Sequence, residues 1–134
     1  MTAKIRVAGG CLCGAVRYEI RGPLRGVVNC HCGQCRRMHG HVAAYTAVDP
    51  NDLVMVAAAT LRWYASSARA QRGFCSICGA SLFWKPAHGR HLAVAAGTLD
   101  SPTGLTTIAQ IYTRDAGDYY ELSDGLPEYP GTLE

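Results

Sequence analysis

No apolar run in this sequence is long enough to cross a bilayer. The longest, such as residues 42–48 and 92–96, fall far below the roughly 18 residues that a spanning helix needs. No membrane segment is expected. Residues 1–7 carry Lys4 and Arg6 with no apolar stretch behind them, so no export signal is read and a cytoplasmic setting is expected. Charge is also sparse: 17% of residues are charged and the formal net charge is only +3. The arginines are scattered and do not form a run, which gives no case for a nucleic-acid partner. A small positive excess suits an anionic small molecule better. Sustained helical periodicity is missing too. No window of 11 or more residues keeps apolar side chains at i, i+3 and i+4, so helix is expected to be minor, limited to single turns near residues 57–59 and 66–70. No internal repeat of fixed period is present.

What remains is a chain of 134 residues, 49% hydrophobic, which suits one core and a single domain over residues 1–134. Alternation of Val16, Tyr18 and Ile20 with Arg17 and Glu19 has the period of two of a half-buried strand. Residues 42–48, 61–64, 81–84, 91–95 and 107–112 are rich in β-branched and aromatic side chains and bounded by turn formers. The fold class read from this pattern is mainly β. Residues 124–134, with Pro127 and Pro130, read as an extended tail that packs loosely or caps a sheet edge. Exposed strand edges leave a homodimer open.

Cysteine is the residue in excess. There are seven, an odd number in a chain without an export signal, which argues against a disulfide framework and for metal ligation. Cys11 and Cys13 form a Cys-x-Cys pair followed by Gly14; Cys75 and Cys78 form a Cys-x-x-Cys pair followed by Gly79. Such knuckles aim two thiolates at one centre and turn backbone N–H groups toward the sulfurs, and glycine permits the tight turn. Four thiolates from two distant segments would complete a structural zinc site, contributing on the order of 10 kcal/mol to folding. The other three, Cys30, Cys32 and Cys35, lie within Cys30-His31-Cys32-Gly33-Gln34-Cys35 and have no fourth cysteine to join them. Three ligands imply an open position, the arrangement zinc uses for chemistry. Two alternatives stay open: a closed site with His31, His39 or His41 as fourth ligand, and a metal-free set in which two cysteines act as a redox pair.

Other residues read more plainly. His88 and His91 are expected at the surface or half-buried, and Trp63, Phe74, Phe83 and Trp84 in the core around the structural metal. Arg36, Arg37 and Arg72 adjoin the cysteine motifs and are candidates for binding a substrate carboxylate.

The segments Gly10-Cys11-Leu12-Cys13-Gly14-Ala15-Val16, Cys30-His31-Cys32-Gly33-Gln34-Cys35-Arg36 and Gly73-Phe74-Cys75-Ser76-Ile77-Cys78-Gly79-Ala80-Ser81-Leu82 resemble the glutathione-dependent formaldehyde-activating enzyme family, the centromere protein V/Gfa domain. The similarity runs on through Gly97-Thr98-Leu99-Asp100 to Leu126-Pro127. The resemblance implies an Mss4-like zinc-binding β-sheet fold. It implies two zincs per chain, a structural one on Cys11, Cys13, Cys75 and Cys78 and a catalytic one on Cys30, Cys32 and Cys35. It also implies a carbon-sulfur lyase, or aldehyde-activating, function on a small thiol adduct of the S-hydroxymethylglutathione type, with glutathione and formaldehyde as partners. The competing reading is a non-catalytic zinc-stabilised interaction module or thiol carrier. The chain departs from the family pattern at Tyr119 and Tyr120, where many relatives carry a Trp before the closing Leu-Pro.

Overall fold

The computed structural model describes residues 4–133. Ten strands form two sheets. The smaller sheet has the order β1-β2-β5, with β1 at Val7–Gly10, β2 at Arg17–Ile20 and β5 at Leu53–Ala57. The larger contains β3 (Val27–Cys30), β4 (Ala43–Val48), β6 (Leu61–Ser67), β7 (Ala70–Cys75), β8 (Ser81–Pro86), β9 (Leu92–Ala95) and β10 (Thr107–Ile111), in the order β10-β3-β4-β9-β8-β7-β6. All pairings are antiparallel except β10 with β3. The mainly β architecture is the one the alternation predicts.

The sheets share a core. Val16, just before β2, and Tyr18 and Ile20 from the small sheet meet Val48, Leu82, Phe83 and Val94 from the large one, all fully buried. Tyr18 and Phe83 pack edge to face at 5.3 Å, and the Tyr18 hydroxyl lies 2.6 Å from Thr98 Oγ1, so this large ring buries no orphan oxygen. Each such ring contributes about 1.5–3 kcal/mol through burial. Trp63, expected inside, is 38% exposed: it stacks on Phe83 at 6.0 Å across Gly73, where a Cβ would meet both rings at 3.1 Å.

Two local expectations are corrected. Residues 57–59 and 66–70 form no helical turn. Ala57 ends β5, and residues 66–70 hold the end of β6, a tight turn at 68–69 and the start of β7, because strand pairing across the hairpin satisfies the backbone more fully than one isolated turn. Among the described residues, the one α-helix instead occupies Gly33–His39, which we label α1. At seven residues it is too short to show periodicity, and its ends define it: Cys32 caps it by accepting the Cys35 N–H at 3.3 Å, and Gly40, at φ 80, returns an N–H to the Arg36 carbonyl. The tail lies against the β10 edge of the large sheet. It runs along β10, with Gln110 N–H donating to Pro127 O and Tyr129 N–H to Gln110 O, both at 2.9 Å.

Candidate metal centres

The seven cysteines carry free thiols and gather into two clusters, Cys11/Cys13/Cys75/Cys78 and Cys30/Cys32/Cys35; within each, all sulfurs lie within 4.8 Å of one another. The first joins the β1–β2 connection to the turn after β7. Gly14 and Gly79 close the two knuckles at φ 82 and 77, each donating its N–H to the first cysteine's carbonyl. Cys11 and Cys13 sulfurs are 3.6 Å apart, and Cys13 and Cys75 sulfurs 3.8 Å. A tetrahedron of zinc–sulfur bonds of about 2.3 Å needs sulfurs about 3.8 Å apart, so the set fits zinc. The Val16 N–H points at Cys11 Sγ (3.2 Å) and the Ile77 N–H at Cys75 Sγ (3.4 Å), with the Thr60 hydroxyl also 3.4 Å from Cys75 Sγ. That hydroxyl, followed by the Cys78 and Ile77 N–H groups, draws the Cys75 thiol down to about 6. Both Cys11 and Cys75 belong to the main core.

The second cluster is local. Cys30 ends β3, Cys32 caps α1 and Cys35 sits in the first turn of that helix. No histidine joins it among the described residues. In the extended stretch between Cys30 and Cys32, the intervening side chain turns the other way. His31 is 2% exposed on the opposite side: Gln110 Nε2 donates to Asp124 Oδ2 at 2.7 Å, leaving Gln110 Oε1 to accept from His31 Nε2–H at 2.6 Å, while His31 Nδ1 accepts from the Tyr120 hydroxyl. His41 Nδ1 is 2.6 Å from the Tyr119 hydroxyl. The two tyrosines where the chain departs from the family pattern thus hold two of the three candidate histidines. His39 is the third, and its Nε2 lies 2.9 Å from the Tyr45 hydroxyl.

Of the candidate arginines, one meets the second cluster. Arg72 is 4% exposed; its Nε and Nη2 donate to Gln34 Oε1 (3.1 and 2.7 Å), its Nη1 to the Tyr45 hydroxyl (3.3 Å), and Nη2 also approaches Cys35 Sγ (3.6 Å). Because the Tyr45 oxygen accepts from Arg72, its own hydrogen is directed at His39 Nε2. Burial, aided by the Arg72 charge, lowers the His39 pKa and keeps that acceptor neutral. Cys35 is drawn down to about 6, first by the hydrogen bond from Cys30 and then, against burial, by Arg72; Cys30, the donor, is pushed up. Arg37 is exposed and Arg36 half-buried, and neither lines the space beside the sulfurs.

That space is a cavity of about 470 Å³ onto which Cys30, Cys32 and Cys35 all open. Its walls include Arg25, Gln34, Tyr45, Arg69, Arg72, Trp84 and Tyr112. Trp84, expected in the core around the first cluster, lines this cavity instead. Arg25, Arg69, Gln34 and Tyr45 were not singled out from sequence; only Gln34, inside the cysteine motif, had a local signal. His88 and His91 are exposed, as expected.

Fold and site together define a mainly β protein with two thiolate clusters able to hold metal ions, one closed by four sulfurs and one left with three. The sequence pattern of the glutathione-dependent formaldehyde-activating enzyme matches residues 6–115, and the chain belongs to that family. A crystal structure of a Rhodobacter sphaeroides protein is similar, with a TM-score of 0.58 and 26% identity, covering 75% of this chain and 97% of that one. No curated protein matches the chain in sequence.

Proposed function

We propose that this single-domain protein holds zinc in both clusters, on Cys11, Cys13, Cys75 and Cys78 for structure and on Cys30, Cys32 and Cys35 for chemistry. In this reading it acts in the cytoplasm as a carbon-sulfur lyase that forms or splits the adduct of a small thiol with an aldehyde, as the family's aldehyde-activating chemistry does. The observation that carries it is the cavity opening onto a three-cysteine cluster whose neighbouring histidines are all engaged elsewhere.

Zinc on three thiolates would acidify a thiol substrate near neutral pH, while remaining too electron-rich to polarise a carbonyl strongly. The residues supply the rest. Arg72 sets a buried positive charge beside Cys35 and offsets the concentrated charge of the sulfurs. Gln34 and Tyr45 fix that guanidinium, so the compensation is present before substrate arrives. Val28, Trp84, Ala93 and Ile111 give apolar walls that exclude water from the reacting groups. In the synthetic direction a carbon–sulfur bond forms between the thiol sulfur and the aldehyde carbon, and the carbonyl oxygen ends with the proton the thiol gave up. Since both reactants are intrinsically reactive, concentrating and orienting them is the protein's main contribution.

Zinc content of freshly purified, reduced protein, measured with and without glutathione beside a direct thiol titration, tests the reading. Two zincs per chain and saturable thiol binding are expected. One tightly held zinc and no binding after zinc is restored would instead indicate a non-catalytic module.

A further inference from the structure

The charge pattern of the cavity bears on which thiol it takes. Glutathione has a carboxylate at each end and an ammonium beside one of them. Among the described residues, no Asp or Glu lines the cavity to meet an ammonium, and three arginines face it: Arg25, Arg69 and Arg72. An ammonium bound there, away from the sulfurs, loses water and meets guanidinium groups with no carboxylate to pair with.

The arginines are not equally free to bind anions. Arg25 donates through Nε to the Gly26 carbonyl at 3.2 Å and through Nη2 to the Tyr45 carbonyl at 3.1 Å. Arg72 spends its donors on Gln34, Tyr45 and Cys35, which leaves at most one N–H for a ligand. Arg69 differs. It sits on the tight turn between β6 and β7, its backbone N–H donates to Ser67 Oγ, and its guanidinium has no partner among the described residues. The remaining wall is dominated by Val28, Ala70, Trp84, Ala93, Ile111 and Tyr112. A volume of about 470 Å³ suits a small organic ligand.

Resting on the thiol-handling reading above, we infer that this cavity selects a thiol, or its aldehyde adduct, with an apolar body and a single anionic group paired to Arg69, in preference to zwitterionic glutathione. The sulfur meets the cysteine cluster, the body lies along Trp84 and Ile111, and the anion reaches the turn. Bidentate pairing suits a guanidinium.

The test is calorimetric titration of the zinc-loaded full chain with three probes: β-phenyl-α-mercaptopropanoate, the neutral phenylethanethiol, and glutathione. The mercaptocarboxylate is expected to bind at least about tenfold more tightly than glutathione. Arg69→Gln should lower its affinity about fivefold and leave phenylethanethiol unchanged, while Arg69→Lys, which keeps the charge, should retain most of the affinity. Glutathione binding as tightly as the mercaptocarboxylate, or a preference untouched by Arg69→Gln in a variant with native circular dichroism, would overturn the inference while leaving a thiol site in place. Failure of all three thiols to bind protein that carries two zincs would overturn this inference and the thiol-handling reading together.

Discussion

The two cysteine clusters use the same atoms to opposite ends. One spans the chain: Cys13 and Cys75, in van der Waals reach of each other, are 62 positions apart in sequence. The other is drawn from six consecutive residues at the end of β3 and the start of α1. Closing a long loop removes conformational freedom that only the folded state has already given up, so metal at the first cluster acts on the whole fold. Metal at the second would constrain residues that β3, β4 and the α1 caps already order beside the cavity, so its loss should leave the two sheets joined. On the proposed reading, ligand spacing alone would divide the labour between stability and chemistry.

Breaking one ligand in each cluster is the sharpest challenge to that contrast. Cys75→Ser should cost most of the net stability, on the order of 5 kcal/mol or more, and give an unfolded circular dichroism spectrum. Cys32→Ser should unfold cooperatively near the wild-type midpoint while losing one zinc and thiol binding; equal collapse of both variants would erase the distinction. A smaller effect is expected at Arg72. Arg72→Gln should destabilise by about 1–3 kcal/mol and loosen metal at the second cluster alone, read as faster zinc transfer to a chromophoric chelator, with the first zinc released as in the wild type. Arg72→Lys should rescue poorly, since a point-like ammonium cannot serve Gln34, Tyr45 and Cys35 together. The smallest effect concerns His39. Its pKa is lowered in the folded state, so its contribution to stability is complete above the unfolded value of about 6.5 and is lost as pH falls through the folded one. Urea midpoints of wild type and His39→Gln should therefore converge on acidification, and a constant gap between them would show that His39 does not titrate against burial.

Much of this was legible beforehand. Period-two alternation marks β2, and runs rich in β-branched and aromatic residues mark β4, β6, β8, β9 and β10; both are local signals. The partition of cysteines followed from counting and spacing. Less visible were β1, β3, β5 and β7, which are short or contain glycine and take their strand character from partners. Helix α1 hid inside a metal motif because a cysteine, an unusual cap, begins it. Arg25 and Arg69 lie outside the cysteine motifs, and the pairing of β6 with β7 and of β3 with β4 brings them to the wall of the cavity. The roles of His31 and His41 depend on tyrosines 89 and 78 residues away, a relation no local pattern encodes.

The walls of the cavity come from two kinds of element. Its sulfur end is built from a strand terminus and a helix cap, held by β3, β4 and the buried Arg72, whereas another part of its wall is the two-residue turn carrying Arg69. Turns of this kind accept substitution at little cost in folding, while strand and cap positions do not. On the thiol-handling reading, descendants of this chain could therefore exchange the substrate they recognise by drift at one hairpin tip, with the cysteine cluster inherited unchanged.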